Sequence, residues 1–260
     1  MAVTPFDVFG AGKVFVTSTT AAAPSPVNIG YSQEFSLDFT GNMKELTGQN
    51  QFSLDAARGV TKVQVKLKAA VLSSLAWNAI FFGQSFTSGS LLFADNESQT
   101  VPSSGPYTIT VTNASHYEAV SSLSPYGGDL GVVYAATGLP LLKVASVSAA
   151  GQYSVNPATG VYTFDSADEG AAVLISYRYT ATTGQTLIVT NQLIGNTPIF
   201  QLDYYTTRNN LPFLIRLPQC AASKLTIGAK LEDFMMPEFD LMAFANAANQ
   251  IAQFSYPQVA

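Results

Sequence analysis

Apolar and polar residues alternate along most of this chain, with the period of two that is typical of β-strands buried on one face. Between Phe35 and Phe39, for example, three apolar residues alternate with two polar ones. The same alternation predicts strands in seven further segments: Val63–Lys68, Tyr107–Thr112, Val173–Tyr179, Leu187–Thr190, Ile199–Tyr205, Phe213–Leu217 and Lys224–Leu231. Gly, Pro, Asn and Ser fill the gaps, as turns require. The chain is therefore predicted to be mainly β.

One segment follows a helical period instead. Between residues 72 and 80 apolar side chains recur every three or four positions, Ser73 or Ser74 can cap the start, and Gly83 can end the helix. We predict a short helix over Ser73–Phe82. Because about three turns are too few to be stable alone, its apolar stripe must pack on a sheet.

The C-terminal region, Pro237–Gln253, has a mixed pattern. Phe239 and Leu241 alternate as in a strand, whereas the alanine-rich Ala243–Ala248 is compatible with a helical turn. A further extended piece is predicted at Ile251–Tyr256.

Composition divides the chain into two parts. Between Leu91 and Gly184, Lys and Arg nearly vanish, and Ser, Thr, Gly and Tyr dominate. This segment holds two basic and seven acidic residues, which accounts for the whole net charge of −5. The change predicts a small outer β domain, residues 91–184, inserted at an exposed loop of a discontinuous β domain formed by residues 1–90 and 185–260. Residues 21–26 are predicted to be a short flexible connector.

A long segment between two predicted strands, Gly41–Gly59, follows no sustained period, although it contains Met43, Leu46, Phe52 and Leu54. It is too long for an ordinary hairpin turn, and nothing within it would bury these side chains. Two interpretations remain open. The segment is either an ordered excursion packed on its own domain, or a loop that becomes ordered only against a neighbouring subunit. We favour the second.

Charged residues are scarce. They make up 11% of the chain, against about a quarter of an ordinary soluble domain. With 47% apolar residues the chain can bury a sizeable core, which excludes general disorder. Low charge and many aromatic residues predict a surface that other protein covers. The net charge argues against a surface that grips nucleic acid phosphates.

Candidate catalytic and metal-binding chemistry is sparse. One cysteine, Cys220, excludes an intrachain disulfide, and one histidine, His116, excludes the usual two-histidine metal site. His116 lies beside Ser115 and Glu118, but neighbours on a strand point to opposite faces, so we expect a surface or interface histidine. Cys220 and Trp77 are expected to be buried.

Two further motifs have plainer explanations. Gly10–Lys13 reads "GAGK" but lacks the spacing of a phosphate-binding loop, so we expect a turn. Asp165, Asp168 and Glu169 form an acidic run without EF-hand spacing, so we expect a solvated turn rather than a calcium site. The sequence therefore predicts no catalytic, cofactor-binding or metal-binding residue, and no enzyme.

Membrane and export signals are not expected. Met1–Val16 has no basic leader followed by an apolar region, and no run of about 18 apolar residues could span a membrane. We expect a soluble protein made in the cytoplasm, without membrane insertion.

Three stretches resemble the major tail tube proteins of long-tailed bacteriophages. They are the long segment Gly41–Gly59, the block "GQYSVNPATGVYTFDSADEG" at Gly151–Gly170 with the strand after it, and the closing "KLEDFMMPEFDLMAFANAA" at Lys230–Ala248. The resemblance implies a β-sandwich or barrel-like fold with one packed helix. It also implies homohexameric rings that stack into the tube of a virion tail, through which the genome leaves.

The same resemblance implies partners. The long segment, a terminal arm at Met1–Thr20 and the C-terminal segment would join successive rings, and the insert would decorate the outside of the tube. A tape measure protein would fill the lumen, tail-terminator and tail-tip proteins would close its ends, and genomic DNA would pass without specific binding. No cofactor is implied.

The lining of such a lumen has two candidate sets on polar strand faces. One is acidic, Glu34 and Asp38 with Ser36, and the other is basic, Lys66, Lys68, Lys224 and Lys230. We predict that the acidic set lies nearer the lumen and the lysines nearer subunit interfaces, since a lysine-rich lining would retard DNA.

Two other functions remain open. A capsid decoration or tail-terminator protein shares the virion setting. An adhesive β module that binds glycans is suggested by eight tyrosines in the insert: Tyr107, Tyr117, Tyr126, Tyr134, Tyr153, Tyr162, Tyr177 and Tyr179. Aromatic residues in β domains more often form core and cross-strand pairs.

Overall fold

A computed structural model describes residues 10–19, 24–49, 51–208 and 211–256. The protein is mainly β, as predicted, with antiparallel sheets and one short helix. Its strands are β1 (Lys13–Ser18), β2 (Val27–Thr47), β3 (Ser53–Ala69), β4 (Phe86–Thr100), β5 (Thr108–Thr110), β6 (Asp129–Tyr134), β7 (Leu142–Lys143), β8 (Gln152–Asn156), β9 (Val161–Phe164), β10 (Ala172–Leu187), β11 (Phe200–Arg208), β12 (Leu211–Thr226), β13 (Glu238–Ala243) and β14 (Gln253–Ser255).

The chain divides into two compact units. The first contains the described residues up to Ser85 and from Val189 onward, and the second spans Phe86–Ile188. The insert was predicted at residues 91–184, and the second unit extends beyond both of these limits because β4 and β10 pair from Phe86↔Leu187 to Thr100↔Ala172. The composition changes only part-way along these two strands.

Unit 1 is built on a closed circuit of six antiparallel strands. Their order is β11-β1-β2-β3-β13-β12, and β12 pairs back to β11. The strand β12 makes this closure possible because it pairs with β11 as far as Cys220 and with β13 from Cys220 onward. The short β14 pairs with β12 at Leu214–Arg216. A barrel-like sheet therefore forms within one chain.

The core of unit 1 follows the period-two pattern. Val65 and Leu67 of β3, and Phe239 and Leu241 of β13, are each about 1% exposed. They pack with side chains of β1, β11 and β12 in one cluster. Such alternation on paired strands leaves their polar residues together on the opposite face.

The predicted helix over Ser73–Phe82 is confirmed, as an α-helical turn, α1 (Ser74–Trp77), that continues as a π-helical turn, Asn78–Phe82. The Ala76 N–H donates to Ser73 Oγ at 3.2 Å, which caps the start. Gly83 ends the helix in the left-handed region, with φ 63°. Ala76 and Ile80 join the core of unit 1, so the helix is stabilised by packing.

Two strand predictions are wrong. Only Leu187 of Leu187–Thr190 lies in a strand. The Gln84 side-chain amide donates to the carbonyl of Thr190 and accepts from its N–H. Neither backbone group of Thr190 is therefore left for a sheet partner. The strand predicted at Lys224–Leu231 ends at Thr226, because its partner β13 begins opposite that residue.

The C-terminal pattern resolves into two strands without a helix between them. Phe239 and Leu241 lie in β13, and the extended piece near Ile251–Tyr256 contains β14. The helical turn considered at Ala243–Ala248 does not form. Instead, Asn246 Oδ1 accepts from the N–H groups of Ala248 and Gln250, which fixes a tight turn.

Unit 2 holds two smaller sheets. One has the order β4-β10-β6, and the other has the order β5-β9-β8-β7, in which only β7 and β8 are parallel. Four of the eight tyrosines of the insert are buried in its core, namely Tyr117, Tyr153, Tyr162 and Tyr177.

Candidate assembly edges and an interleaved charged face

The most distinctive surface of unit 1 lies on the four adjacent strands β2, β3, β13 and β12. Strand register places Glu34 of β2 opposite Lys68 of β3, and Lys68 opposite Glu238 of β13. One step along the strands, Lys66 lies between Ser36 of β2 and Asp240 of β13, and Asp240 lies opposite Lys224 of β12. We call these residues, with Asp38, Gln64 and Thr226, the interleaved face.

The interleaved face is a checkerboard of opposite charges. Acidic residues lie on β2 and β13, and lysines lie on β3 and β12. Neighbouring strands are about 4.8 Å apart, so each lysine lies beside at least one carboxylate. The Lys68 Nζ is 3.1 Å from Glu238 Oε1. Glu34, Lys66 and Lys224 are exposed and Asp240 is half-buried, so ion pairs between them contribute little to stability. The face is distinguished by its pattern of charges.

This register shows that the two candidate lining sets do not lie on separate faces. Lys66, Lys68 and Lys224 share a sheet face with the acidic set, since cross-strand partners point to the same side. Only Lys230 lies apart, beyond the end of β12. The placement of the acidic set nearer the lumen and the lysines nearer subunit interfaces stays a prediction.

Both outer edges of this four-stranded segment are unpaired within the described chain. The strand β1 pairs with β2 only as far as Tyr31, so Glu34–Phe39 bonds β3 on one side and no strand on the other. We call this segment the β2 edge. On the far side, β12 parts from β11 at Cys220, so Ala221–Thr226 bonds only β13. We call this segment the β12 edge. Unpaired edges of this kind are templates for pairing with another chain.

A long β-hairpin projects beyond the barrel, where the sequence predicted a loop. The strands β2 and β3 continue to pair from Thr40↔Lys62 to Thr47↔Ser53, past the last β13 partner at Val63. We call residues 40–62 the hairpin arm. Its apolar side chains are exposed: Leu46 is 62% and Phe52 is 80% exposed. The interpretation as an excursion packed on its own domain is wrong, and contact with a neighbouring subunit stays a prediction.

Unit 2 is held together by carboxylates and tyrosine hydroxyls. Asp129, whose side chain is 4% exposed, accepts from the hydroxyls of Tyr153 at 3.0 Å and Tyr162 at 3.1 Å. The Lys143 Nζ lies 2.7 Å from its Oδ2 atom. Burial, followed by the charge of Asp129, raises the pKa values of both phenols well above their usual range. Tyr117 completes the cluster through its hydroxyl, 3.3 Å from that of Tyr162.

Asp168 corrects one prediction. The acidic run was expected to be a solvated turn, but Asp168 is only 5% exposed. It accepts from the Tyr134 hydroxyl at 2.5 Å and from the Gly151 N–H at 3.0 Å. Burial and this bond raise the pKa of Tyr134 to about 12. Asp165 caps a short turn at Ser166–Asp168, and Glu169 is exposed.

The remaining candidate residues form no reactive site. His116 lies in a 3₁₀ turn, Ala114–His116, rather than a strand, and is exposed as expected. Its neighbour Glu118 pairs instead with Arg178, at 2.8 Å from Nε. Gly10–Lys13 leads into β1 and not into a helix. Cys220 is fully buried, which raises the pKa of its thiol to about 12.

In the part of the chain that the structure describes, no three His, Cys, Asp or Glu side chains are grouped so as to hold a metal ion. No helix in the same residues has the length and apolar character needed to cross a bilayer. The predicted terminal arm, Met1–Thr20, is wrong for Lys13–Ser18, because these residues form β1, which pairs with β2 and β11 and buries Val14 and Val16 in the core. The rest of the arm and the connector at 21–26 lie largely outside the described residues.

Comparisons with known proteins do not add a family. No protein-family model matches the chain, and a search of curated proteins finds no significant match.

Sequence reasoning missed two parts of this surface. It named Glu34 and the lysines as lining candidates but did not include Glu238 or Asp240, because these lie in the C-terminal region whose pattern was mixed. The residues of the two unpaired edges were not predicted either. Each edge begins where a strand from another part of the sequence, β1 or β11, stops pairing. The alternation of Glu238 and Asp240 with Phe239 and Leu241 is the sequence signal that could have placed these two carboxylates on the polar face of a strand.

Proposed function

We propose that this chain is a structural virion protein, the major tail tube protein of a long-tailed phage. It assembles into homohexameric rings that stack into a conduit for genome ejection. The observation that carries the proposal is the four-stranded segment with an unpaired edge at each end and an interleaved charged face between them. The sequence resemblance to tail tube proteins supplies the ring size and the setting.

The two edges are complementary to each other. The β2 edge carries Glu34 and Asp38, and the β12 edge carries Lys224. Adjacent strands in the segment are antiparallel, so β2 and β12, at the two ends of four strands, run in opposite directions. The β12 edge of one copy can therefore pair antiparallel with the β2 edge of the next, and the acid-base alternation continues across the joint. Closing such a ring pairs both the β2 edge and the β12 edge of every copy.

The resulting dimensions suit a conduit. Six copies of a four-stranded segment give about 24 strands, and a spacing of about 4.8 Å gives a circumference of roughly 115 Å. The backbone cylinder is then about 37 Å across before strand tilt widens it. The other face of the segment is filled by the barrel core, including Val65 and Leu241, so the interleaved face is the one that lines the bore.

The hairpin arm supplies a contact between rings. It extends past the barrel, and its exposed apolar residues, including Leu46 and Phe52, have no cover in the described chain. Burying such residues against the next ring removes apolar surface from water, which favours stacking. The protein acts passively in this role, as a conduit without catalytic residues, cofactor or metal.

The direct test is electron microscopy of the purified protein at raised concentration. Rings or tubes of constant bore support the proposal, whereas a protein that stays monomeric at every concentration rejects it. A matched variant replaces Gly41–Thr61 with Asn-Gly, because Thr40 and Lys62 are direct partners that a two-residue turn can join. We expect this variant to fold and to form rings, but not stacked tubes.

The buried tyrosines weigh against the glycan-binding alternative. Tyr117, Tyr153, Tyr162 and Tyr177 lie in the core of unit 2 and are not available as a sugar platform. A glycan array on which the protein binds specifically while forming no rings would reverse this preference.

A further inference from the structure

We propose that the interleaved face is a latent binding surface for duplex DNA, in which the carboxylate opposite each lysine keeps that lysine from holding a phosphate. The inference rests on the proposed function, because it gives the lining of the conduit its chemistry. It also makes a separate claim, since masking belongs to a single chain and can be measured without a ring.

The lysines alone would form a basic cluster. Lys66 and Lys68 are two positions apart on β3 and point to the same side, at about 6.7 Å. Lys224 is two strands away from Lys66, across Asp240, at about 9.6 Å. Duplex DNA carries one negative charge per roughly 1.7 Å of axis, so a cluster of this size meets several phosphates at once.

The carboxylates remove this affinity through their positions. Lys68 lies between Glu34 and Glu238, and Asp240 lies between Lys66 and Lys224. A lysine that is already neutralised by a carboxylate does not neutralise a phosphate, so the cations condensed on the DNA stay there. Release of those cations supplies most of non-specific DNA affinity. The same carboxylates repel the phosphate directly. DNA is thus neither held by the face nor strongly expelled from it.

The pattern is more informative than the charge total. A face lined by carboxylates alone would also avoid binding DNA, but it would oppose entry of the duplex by long-range repulsion. Interleaving cancels the field at a distance, because opposite charges lie within about 5 Å of each other, well inside the Debye length of about 8 Å. The proposal therefore predicts latent affinity, whereas an acidic or apolar lining would have none to uncover.

The test is a triple substitution, Glu34→Gln, Glu238→Gln and Asp240→Asn, which removes every carboxylate directly opposite a lysine of this face. The matched control, Asp95→Asn, Asp165→Asn and Glu169→Gln, makes the same change of net charge in unit 2. Affinity for a fluorescent 30-base-pair duplex is measured by anisotropy in about 50 to 200 mM salt. The protein is kept below its assembly concentration, as checked by sedimentation.

We expect the triple variant to bind at least about tenfold more tightly than the wild type at the lowest salt. Three lysine–phosphate contacts give a slope of log affinity against log salt near −2.7, or a loss of roughly 40-fold across this range. The control variant should match the wild type. Adding Lys66→Gln, Lys68→Gln and Lys224→Gln to the triple variant should abolish the gain.

Several results would overturn the inference: no gain in the triple variant, an equal gain in the control, or a gain that survives loss of the lysines. If the triple variant does not fold, Asp240→Asn alone serves, because Asp240 lies opposite both Lys66 and Lys224 and should give a smaller gain with a slope between about −1 and −2. Tubes without any gain refute this inference but not the proposed function. A gain in DNA affinity without any rings supports this inference and rejects the proposed function.

Discussion

The carboxylate of Asp129 is predicted to stabilise the core of unit 2. This carboxylate, 4% exposed, accepts hydrogen bonds from Tyr153 and Tyr162 and pairs with Lys143. Asp129→Ala leaves two buried phenols without this acceptor. Hydrogen bonds to a charged group contribute about 1.5 to 3 kcal/mol each, and Lys143 adds little because it can turn to solvent. We expect a loss of about 3 to 5 kcal/mol.

The chain carries its own reporters for this experiment. The only tryptophan, Trp77, lies in unit 1, whereas eight of the twelve tyrosines lie in unit 2. For a unit of about 100 residues, this loss lowers the melting temperature by roughly 12 to 25 °C. Thermal melts followed by near-ultraviolet tyrosine dichroism should show this decrease. Melts followed by tryptophan fluorescence should not move.

Two variants make the test specific. Asp165→Asn removes the same charge from the same unit but keeps a side chain that can cap the Ser166–Asp168 turn, so its effect should stay within about 0.5 kcal/mol. Combining Asp129→Ala with Tyr153→Phe should cost less than the sum of the two changes, because the second removes the hydroxyl that the first leaves unpaired. A tyrosine transition lowered by less than about 4 °C, or a tryptophan transition lowered equally, would refute the reasoning.

Three other predictions concern assembly, reactivity and pH. Phe52→Ser should raise the protein concentration needed for tube assembly at least about fivefold, because burying this exposed ring contributes about 1 to 2 kcal/mol, and sedimentation should show this with no change in melting. Cys220 should resist a disulfide-exchange reagent at pH 8 until the protein unfolds, since burial raises its pKa to about 12; rapid reaction of the native protein would contradict this. Burial raises the pKa of Glu97, but hydrogen bonds, first from Tyr177, outweigh it and leave the pKa below its usual 4.5. The resulting stabilisation is present above pH 4.5 and lost as pH falls below it, so urea unfolding of Glu97→Gln should depend less on pH there than the wild type does.

Local signals were sufficient where the structure depends on local contacts. The helix at Ser73–Phe82 was predicted with its start and its end because a serine cap and a glycine stop act within one turn of the chain. The alternating strands at Val63–Lys68 and Phe213–Leu217 were predicted because one side of each is buried in the barrel. A regular period of apolar residues therefore indicates that one side of the element is buried.

The hairpin arm was missed for the same physical reason. Both of its faces are exposed in the single chain, so Met43, Leu46 and Leu54 are not selected by an inner and an outer side. A strand that buries neither face leaves no period of two in the sequence. Its strand structure comes from pairing between β2 and β3, which only the register reveals.

The charge total of the insert gives a further example of what composition conceals. Its seven carboxylates against two basic groups indicated an acidic outer domain. Four of the seven are internal partners: Glu97 binds Tyr177, Glu118 pairs with Arg178, Asp129 binds Tyr153 and Tyr162, and Asp168 binds Tyr134. More than half of these carboxylates therefore contribute to the fold of unit 2.

Unit 1 has the opposite arrangement, because its near-neutral total arises from exposed groups of both signs. On the interleaved face, Lys66 and Lys224 lie opposite the same carboxylate, Asp240, and β2 and β3 alternate in charge beside them. A total near zero thus describes a strongly patterned surface, while a total of −5 describes a unit in which four of the seven carboxylates are bound by its own side chains. Whether a surface holds or releases a polyanion depends on where each charge lies relative to its cross-strand neighbour, and net charge does not contain that information.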